Sequence, residues 1–351
     1  MIKVGMLGSG GIGAVHGDAY KRVRNARVVA VADCIPEVAD RLASELQAQA
    51  YYSIDALLED REVEMVDVCL PTPIHADAVV AAARAGKHIL CEKPIARNLD
   101  EADRMIRAVR QAGVKAMIAQ VVRFWPQYAL IKETLVRGDI GAPLAATATR
   151  LVAHGRLGMG WHFTPELGDG AILDLHIHDL DYIYYLLGKP QRVYAAGVKS
   201  PSGTYDHVVT SLDYGRFIAT AEASFRLPAG FPVTFAFRLV GEKGCVDYRF
   251  SGAWHGSEGG QQDDLAVFLA GQPPQHPSYS QVDAFAAEIE YFAECIMTGR
   301  EPDMASLADA RAVLEVNVAA RRSAATGQVV ELERAGDDAA AIAATNEGGS
   351  S

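Results

Sequence analysis

The stretch that decides the fold is Ile2-Lys3-Val4-Gly5-Met6-Leu7-Gly8-Ser9-Gly10-Gly11-Ile12-Gly13. An apolar strand runs directly into G-x-G-x-x-G, and a helix pattern follows at once, which is the context a dinucleotide-binding loop requires. Glycines there permit the tight turn and the close approach of backbone to a pyrophosphate, while the helix start offers unpaired N–H groups and the positive end of its dipole. Asp33 ends the next strand pattern, about 20 residues beyond Gly13, where an acidic side chain accepts the hydroxyls of an adenosine ribose. Its charge repels a 2′-phosphate, so NAD is favoured over NADP. The competing reading is a glycine turn in an α/β domain that binds nothing. Gly8, Gly10, Gly11, Ile12, Gly13 and Asp33 are the first cofactor-binding candidates.

Outward from that loop, residues 1–122 alternate strand and helix. Apolar runs at Arg27–Ala32, Met65–Leu70, His88–Cys91 and Val114–Ala119 are separated by helical stretches at Pro36–Gln47, Ala76–Ala85 and Leu99–Ala112. Gly86 and Gly113 stand where helices end. Near-continuous apolar strands in this alternation predict a doubly wound parallel sheet covered by helices on both faces.

After about residue 140 the pattern changes to long alternating runs: Leu144–Val152, Gln191–Val198, His207–Asp213, Phe217–Phe225, Val233–Val240 and Cys245–Phe250. Tight turns such as Tyr214-Gly215-Arg216 join several of them, which predicts a large, mainly antiparallel open sheet. Helices are expected at Asp174–Leu187, Val282–Met297 and Leu307–Ala325, the last opened by Ser306 and Asp309 in a capping-box arrangement. The fold class is α/β plus α+β, with a Rossmann domain over 1–122, an α+β domain over 123–334 and a disordered tail over 335–351. An open sheet face needs cover, and a second copy of the chain is the economical solution.

Composition removes other classes. Of 351 residues half are hydrophobic and 22% charged, with a net charge of −11, so neither a disordered chain nor a phosphate-backbone binder is expected. No apolar run reaches the roughly 18 residues of a membrane span. Cys34, Cys69, Cys91, Cys245 and Cys295 are odd in number and lack C-x-x-C, which argues against a disulfide framework or a zinc knuckle. With a strand pattern entered at Met1 in place of a secretion leader, a reducing, cytoplasmic setting is expected.

Ligands of open parallel sheets sit beyond the carboxyl ends of the strands. Pro71-Thr72-Pro73-Ile74-His75 follows the third strand, Glu92-Lys93-Pro94 the fourth, and Gln120 with Arg123 the fifth. Each has a bland alternative as helix start, solvated loop or strand cap; three on one rim make Thr72, Pro73, His75, Glu92, Lys93 and Gln120 cofactor-binding candidates.

In the second region, counting about 100° per residue from Asp174 on a regular helix places His178 at about 40° and Asp181 and Tyr185 within about 20° of the start. Leu173, Ile177, Leu180, Tyr184 and Leu187 form a separate apolar stripe. His176 falls about 160° from His178, against a His-x-His metal site; no metal is expected. Asp174 one turn before His178 can hold the imidazole and raise its pKa toward that of a useful general base. An ordinary polar helix face fits the same pattern.

The order of these motifs resembles the Gfo/Idh/MocA family, the oxidoreductases grouped around glucose–fructose oxidoreductase and inositol dehydrogenase. Glu92-Lys93-Pro94 is similar to its E-K-P signature, Pro71–His75 to its P-T/N-x-x-H turn, and Arg123-Phe124-Trp125-Pro126 to its entry into the second domain. Gly168 through Asp181 resembles G-x-G-x-x-x-D-x-x-x-H-x-x-D. The chain departs from the R-R-[FY] form, because Val122 precedes Arg123. The resemblance covers residues 1–330 and implies NAD-dependent oxidation of a secondary alcohol on a sugar, inositol or sugar derivative, or the reverse. It implies a catalytic set of Lys93, His178 and Asp174: His178 takes the hydroxyl proton, Lys93 stabilises the alkoxide, Asp174 orients His178. It also implies a cis Lys93–Pro94 peptide. Substrate contacts are expected from Lys93, Arg123, Arg150, Trp161, His162, Asp174 and His178, with His154 and Arg156 in the same loop. Trp161 has two readings, stacking on a sugar and plain packing; for His276 and Tyr279 ordinary loop placement is favoured over closing the site. Two further activities use the same residues: an enzyme that cycles a retained NAD through a keto-sugar to cleave or epimerise, and a non-catalytic NAD/sugar sensor.

Overall fold

A computed structural model describes residues 1–153, 160–252 and 262–333. The Gly256–Gln262 loop, apart from Gln262, and the predicted tail lie outside the described residues, as do His154 and Arg156. By contacts the chain divides into two compact units: Met1–Leu130 with Glu166–Gly168 and Ser278–Leu314, and Ile131–Pro165 with Asp169–Pro277 and Glu315–Ser351.

The first unit is built on β1 (Ile2–Leu7), α1 (Gly11–Tyr20), β2 (Ala26–Ala32), α2 (Pro36–Leu46), β3 (Gln49–Tyr51), α3 (Ile54–Leu58), β4 (Met65–Val68), α4 (His75–Arg84), β5 (His88–Glu92), α5 (Leu99–Ala112) and β6 (Ala116–Ala119). Its six strands are parallel in the order β3-β2-β1-β4-β5-β6. The order reverses direction at β1, so β1 and β4 flank the switch point where such sheets bind ligands. The short edge strand β3 and the one-turn α3 were not legible, since three residues carry no period. Gly113 closes α5 at φ +67° and Asn98 opens it by accepting from Glu101 N–H at 3.0 Å.

Helices α6 (Pro126–Val136) and α10 (Leu307–Thr326) carry the chain across the division. The second unit holds β7 (Pro143–Ala153), α7 (Ala171–Asp174), α8 (Ile177–Leu187), β8 (Arg192–Lys199), β9 (Tyr205–Asp213), β10 (Ile218–Leu227), β11 (Val233–Gly241), β12 (Gly244–Gly252), β13 (Gln262–Leu269) and β14 (Val330–Glu331). Its eight strands run β13-β12-β11-β7-β10-β9-β8-β14, antiparallel except for the β7–β10 pair. One face carries the buried Phe237 and Leu239, with the Phe237 ring edge-on to Tyr182 of α8 at 4.8 Å between centroids. The register puts Tyr194, Val198, Val209, Ile218 and Phe268 together on the other face, and all five are exposed.

The last helix before α10 is α9 (Ala284–Thr298). The sequence reading placed it in the second domain; its contacts place it in the first unit. Ile289, Phe292 and Ala293 join Ile2, Val4, Met6, Val31 and Leu90 in one buried cluster. A parallel sheet must cover both faces, and β1 and β2 recruit a helix about 250 residues downstream to do so. Replacing the fully buried Phe292 by Ala should therefore unfold the parallel sheet early, at a loss of about 3–5 kcal/mol in urea titration. A loss below about 1 kcal/mol would show that α9 is not part of this core.

Candidate active site

The glycine loop has the shape its sequence promised. Gly8 turns at φ +96°, and a Cβ there would stand 2.6 Å from the Cys69 carbonyl oxygen. A Cβ on Gly13 would stand 2.3 Å from the Gly8 carbonyl, so helix α1 starts hard against the loop. Gly10 and Gly11 face open space. The helix has no side-chain cap and no acidic residue in its first turn, so its amide N–H groups and dipole remain for an anion. Asp33 leaves β2 beside this loop, its carboxylate accepting from Ser9 N–H at 2.8 Å and Ile35 N–H at 3.0 Å. Ser9 Oγ and Gln120 Oε1 are buried with no hydrogen-bond partner. Ser9 was not among the predicted contacts. These polar groups, an open helix start and an ordered acidic residue at the end of β2 fit a dinucleotide.

Other rim residues have structural duties. His75 is buried, with Nδ1 at 3.0 Å from Pro94 O and Nε2 at 2.8 Å from Leu70 O, tying two rim segments together. Thr72 and Pro73 form the short 3-10 turn before α4. Glu92 is buried at the end of β5 and accepts the Lys93 N–H at 2.9 Å; Lys93 is half-buried and joined to Pro94 by a cis peptide. Arg123 is buried, and its Nη1 donates to Met304 O at 2.6 Å and to Asp309 Oδ2 at 3.0 Å. That fork holds the start of α10, where Asp309 N–H also meets Ser306 Oγ.

In the second unit the predicted helix from Asp174 to Leu187 is two helices. Asp174 ends α7, and the His176 N–H reaches back five residues to Ala171 O at 2.8 Å, a π-type turn that breaks the register. A constant 100° count across Leu175–His176 therefore does not apply. Asp174 and His178 are both partly exposed, whereas Asp181, predicted on their stripe, is buried. The Asp174 carboxylate stands 3.6 Å from His162 Nδ1, and His162 stacks on Trp161 with centroids 3.7 Å apart. Trp161, His162 and Asp174 thus form one aromatic–imidazole–carboxylate group.

Arg150 is buried in β7, bidentate to Asp179 at 3.0 Å on both oxygens and stacked 4.5 Å from the Phe235 ring centroid. Burial lifts the Asp179 carboxyl above its ordinary range and Arg150 pulls it back. This arginine holds the core. His276 is exposed beside Asp264. His176 is fully buried with Nε2 at 2.8 Å from Thr210 Oγ1, and burial, aided by Arg150, brings its pKa down to about 3.

Residues 2–120 match the family described as an oxidoreductase family with an NAD-binding Rossmann fold, and residues 128–247 match the GFO/IDH/MocA C-terminal domain. A levoglucosan dehydrogenase of Pseudarthrobacter phenanthrenivorans is 32% identical over 77% of this chain and 76% of its own. The chain belongs to the Gfo/Idh/MocA family. A scyllo-inositol 2-dehydrogenase (NAD(+)) of Bacillus subtilis is 27% identical over 95% of this chain and 96% of its own. Levoglucosan dehydrogenase in complex with NADH shares the fold at a TM-score of 0.84, with 25% identity over 95% of this chain and 99% of that one. Among the described residues no helix is long and apolar enough to cross a membrane, and all five cysteines are free.

The neutral His176 has a consequence for stability. The unfolded chain protonates this histidine near 6.5 and the folded chain does not until about 3, so stability contributed here is lost as pH falls below about 6.5. Between pH 7 and pH 5 the loss is about 2 kcal/mol. A His176→Gln variant should lose about that much less than wild type over the interval in urea titrations at the two pH values. Equal losses would contradict a neutral, buried His176.

Proposed function

We propose that this family member transfers hydride between NAD and a secondary alcohol of a sugar, inositol or sugar derivative. The observation that carries the reading is Lys93, the first residue past β5, on the carboxyl rim of a sheet whose glycine loop is open for a dinucleotide. The loop Gly8–Gly13 and the start of α1 would hold the pyrophosphate, Asp33 the ribose hydroxyls, and Thr72, Pro73 and Gln120 the remainder. Bound NAD supplies the hydride acceptor at nicotinamide C4.

The chain's own groups do the proton work. Lys93 donates to the reacting hydroxyl oxygen and stabilises the negative charge that develops there. His178 takes the hydroxyl proton as general base, and Asp174 keeps the imidazole oriented. Trp161 offers an aromatic face to the C–H side of a sugar ring, and His162, beside Asp174, hydrogen-bonds hydroxyls. Arg123 and Arg150 are left out of this set, because their guanidinium groups hold Asp309 and Asp179.

Purified protein with NAD, or separately NADP, and a panel of inositols, anhydrosugars, aldoses and sugar acids is expected to produce NADH at 340 nm with at least one compound, NAD being preferred. Lys93→Ala should lower kcat by about a hundredfold or more with NAD affinity within about twofold. Sugars that alter NAD binding without forming NADH would overturn the dehydrogenase reading, and a fully active Lys93→Ala would overturn the role of Lys93.

A second copy of the chain is the proposed cover for the exposed sheet face of Tyr194, Val198, Val209, Ile218 and Phe268. Light scattering should give a dimer or tetramer, and Val209→Arg, in the centre of strand β9 on that face, should shift it toward monomer. An unchanged mass for the variant, or a monomeric wild type, would rule out this face as the interface.

A further inference from the structure

A buried polar cluster lies under the glycine loop in the first unit, and none of the proposed chemistry uses it. His16 is on α1, one turn after Gly13, and is wholly inaccessible. Its Nδ1 stands 2.8 Å from Asp67 Oδ2 on β4, and its Nε2 stands 3.0 Å from Glu92 Oε1 at the end of β5. The other oxygen of Glu92 accepts the backbone N–H of Lys93 at 2.9 Å. Around this line stand Cys69, whose thiol donates to Asp67 Oδ1 at 3.5 Å, the hydroxyl of Tyr20, the ring of Phe285 at 5.5 Å and the carboxyl of Glu288 on α9.

A histidine with a carboxylate oxygen at hydrogen-bond distance from each ring nitrogen is satisfied on both sides only as imidazolium, donating twice. Burial alone pulls the His16 pKa down, and the Asp67 carboxylate overrides it, holding the group well above its ordinary value. Glu288 goes the other way: burial pushes its carboxyl well up, so that a proton stays on it and the cluster avoids a third buried negative charge.

We propose that His16 is a positioning residue for Lys93: clamped between Asp67 and Glu92, it fixes the Glu92 carboxylate that holds the Lys93 peptide N–H. The consequence is a Lys93 main chain referenced to β4 and α1 as well as to its own strand. A lysine side chain has four rotatable bonds, so a fixed starting point is what its peptide can contribute to aiming the ammonium. This inference rests on the reading of Lys93 as the group that meets the substrate hydroxyl.

Proximity alone also permits a cation, because donor atoms of His16, Glu92 and Glu288 lie within 4.8 Å of one another. The chemistry of the ring argues otherwise. Two nitrogens that both donate have no lone pair left for a metal, and one nitrogen turned to a metal would leave an unshielded carboxylate in the core.

Two substitutions separate the clamp from simple packing. The amide of His16→Asn reaches the place of Nδ1 and keeps Asp67; the amide of His16→Gln reaches the place of Nε2 and keeps Glu92. His16→Asn is expected to lower kcat by about tenfold with NAD affinity within about twofold, and to speed hydrogen exchange of the Lys93 amide by about tenfold. His16→Gln should recover most of both. Equal behaviour of the two variants, or a Lys93 amide that exchanges as in wild type in His16→Asn, overturns the proposal. Should either variant fail to fold, Glu92→Met serves: it keeps the length of the side chain and removes both acceptor oxygens, so the Lys93 amide must exchange faster, and unchanged exchange overturns the clamp. One equivalent of metal in purified wild type, lost in His16→Asn, would replace the clamp by a cation site. A fully active Lys93→Ala would remove the catalytic reading of Lys93 while leaving the amide-exchange result to stand on its own.

Discussion

The close approach of α1 to the loop that precedes it is the constraint from which the first unit follows. The Gly13 position lies so near the Gly8 carbonyl that no side chain fits, and this contact sets where the helix axis meets the sheet. At one end it leaves unpaired N–H groups facing open space, the electrostatic requirement for a pyrophosphate. One turn further on it drives His16 into the sheet, where Asp67 and Glu92 meet it. The cofactor end and the buried ionic line are thus two consequences of one packing contact. Charge in a core survives only when paired and hydrogen-bonded, and here the pairing runs along β4 and β5 toward the Lys93 peptide.

The second unit solves a different problem. A wide open sheet covers one face with α8 and leaves the other exposed, with Tyr194, Val198, Val209, Ile218 and Phe268 among its polar residues, and it inserts Arg150 and Asp179 into the covered side as a bidentate pair. Breaking such a pair costs more than the pair contributes, so it specifies how α8 seats on β7 more than it stabilises. The π-type turn at Leu175–His176 has a related effect. It buries His176 against Thr210 and leaves Asp174 and His178 in separate helices, both partly exposed. A regular helix would have given one continuous stripe; the break re-aims Asp174 beside His162.

Much of this was legible in the residues. Strand β1 and helix α5 begin and end where the pattern put them, because a long apolar run or a capped amphipathic helix carries its own period. The glycine loop with Asp33 was legible because a phosphate-binding turn needs particular residues at particular places. What escaped were β3, α3 and β14, too short to carry a period, together with the longer α6 and β13 and the split of α7 from α8. The buried cluster left only a faint trace, a charged Asp67 inside an apolar strand and Glu288 on the apolar face of α9. Arg123 and Arg150 looked like ligand contacts because sequence cannot show that a guanidinium is already occupied.

By itself, the sequence determined the order of the elements, the parallel and antiparallel character of the two sheets and the chemistry available at the strand ends. Those depend on local periodicity, turn residues and side-chain type, all of which act over a few residues. Only the tertiary structure decided which polar groups meet: α9 on the first sheet, Arg123 on Asp309, Arg150 on Asp179, and His16 between Asp67 and Glu92. These partners lie tens to hundreds of residues apart, and the force that joins them is the penalty for a buried polar group without a partner, which exists only once the chain has closed around it.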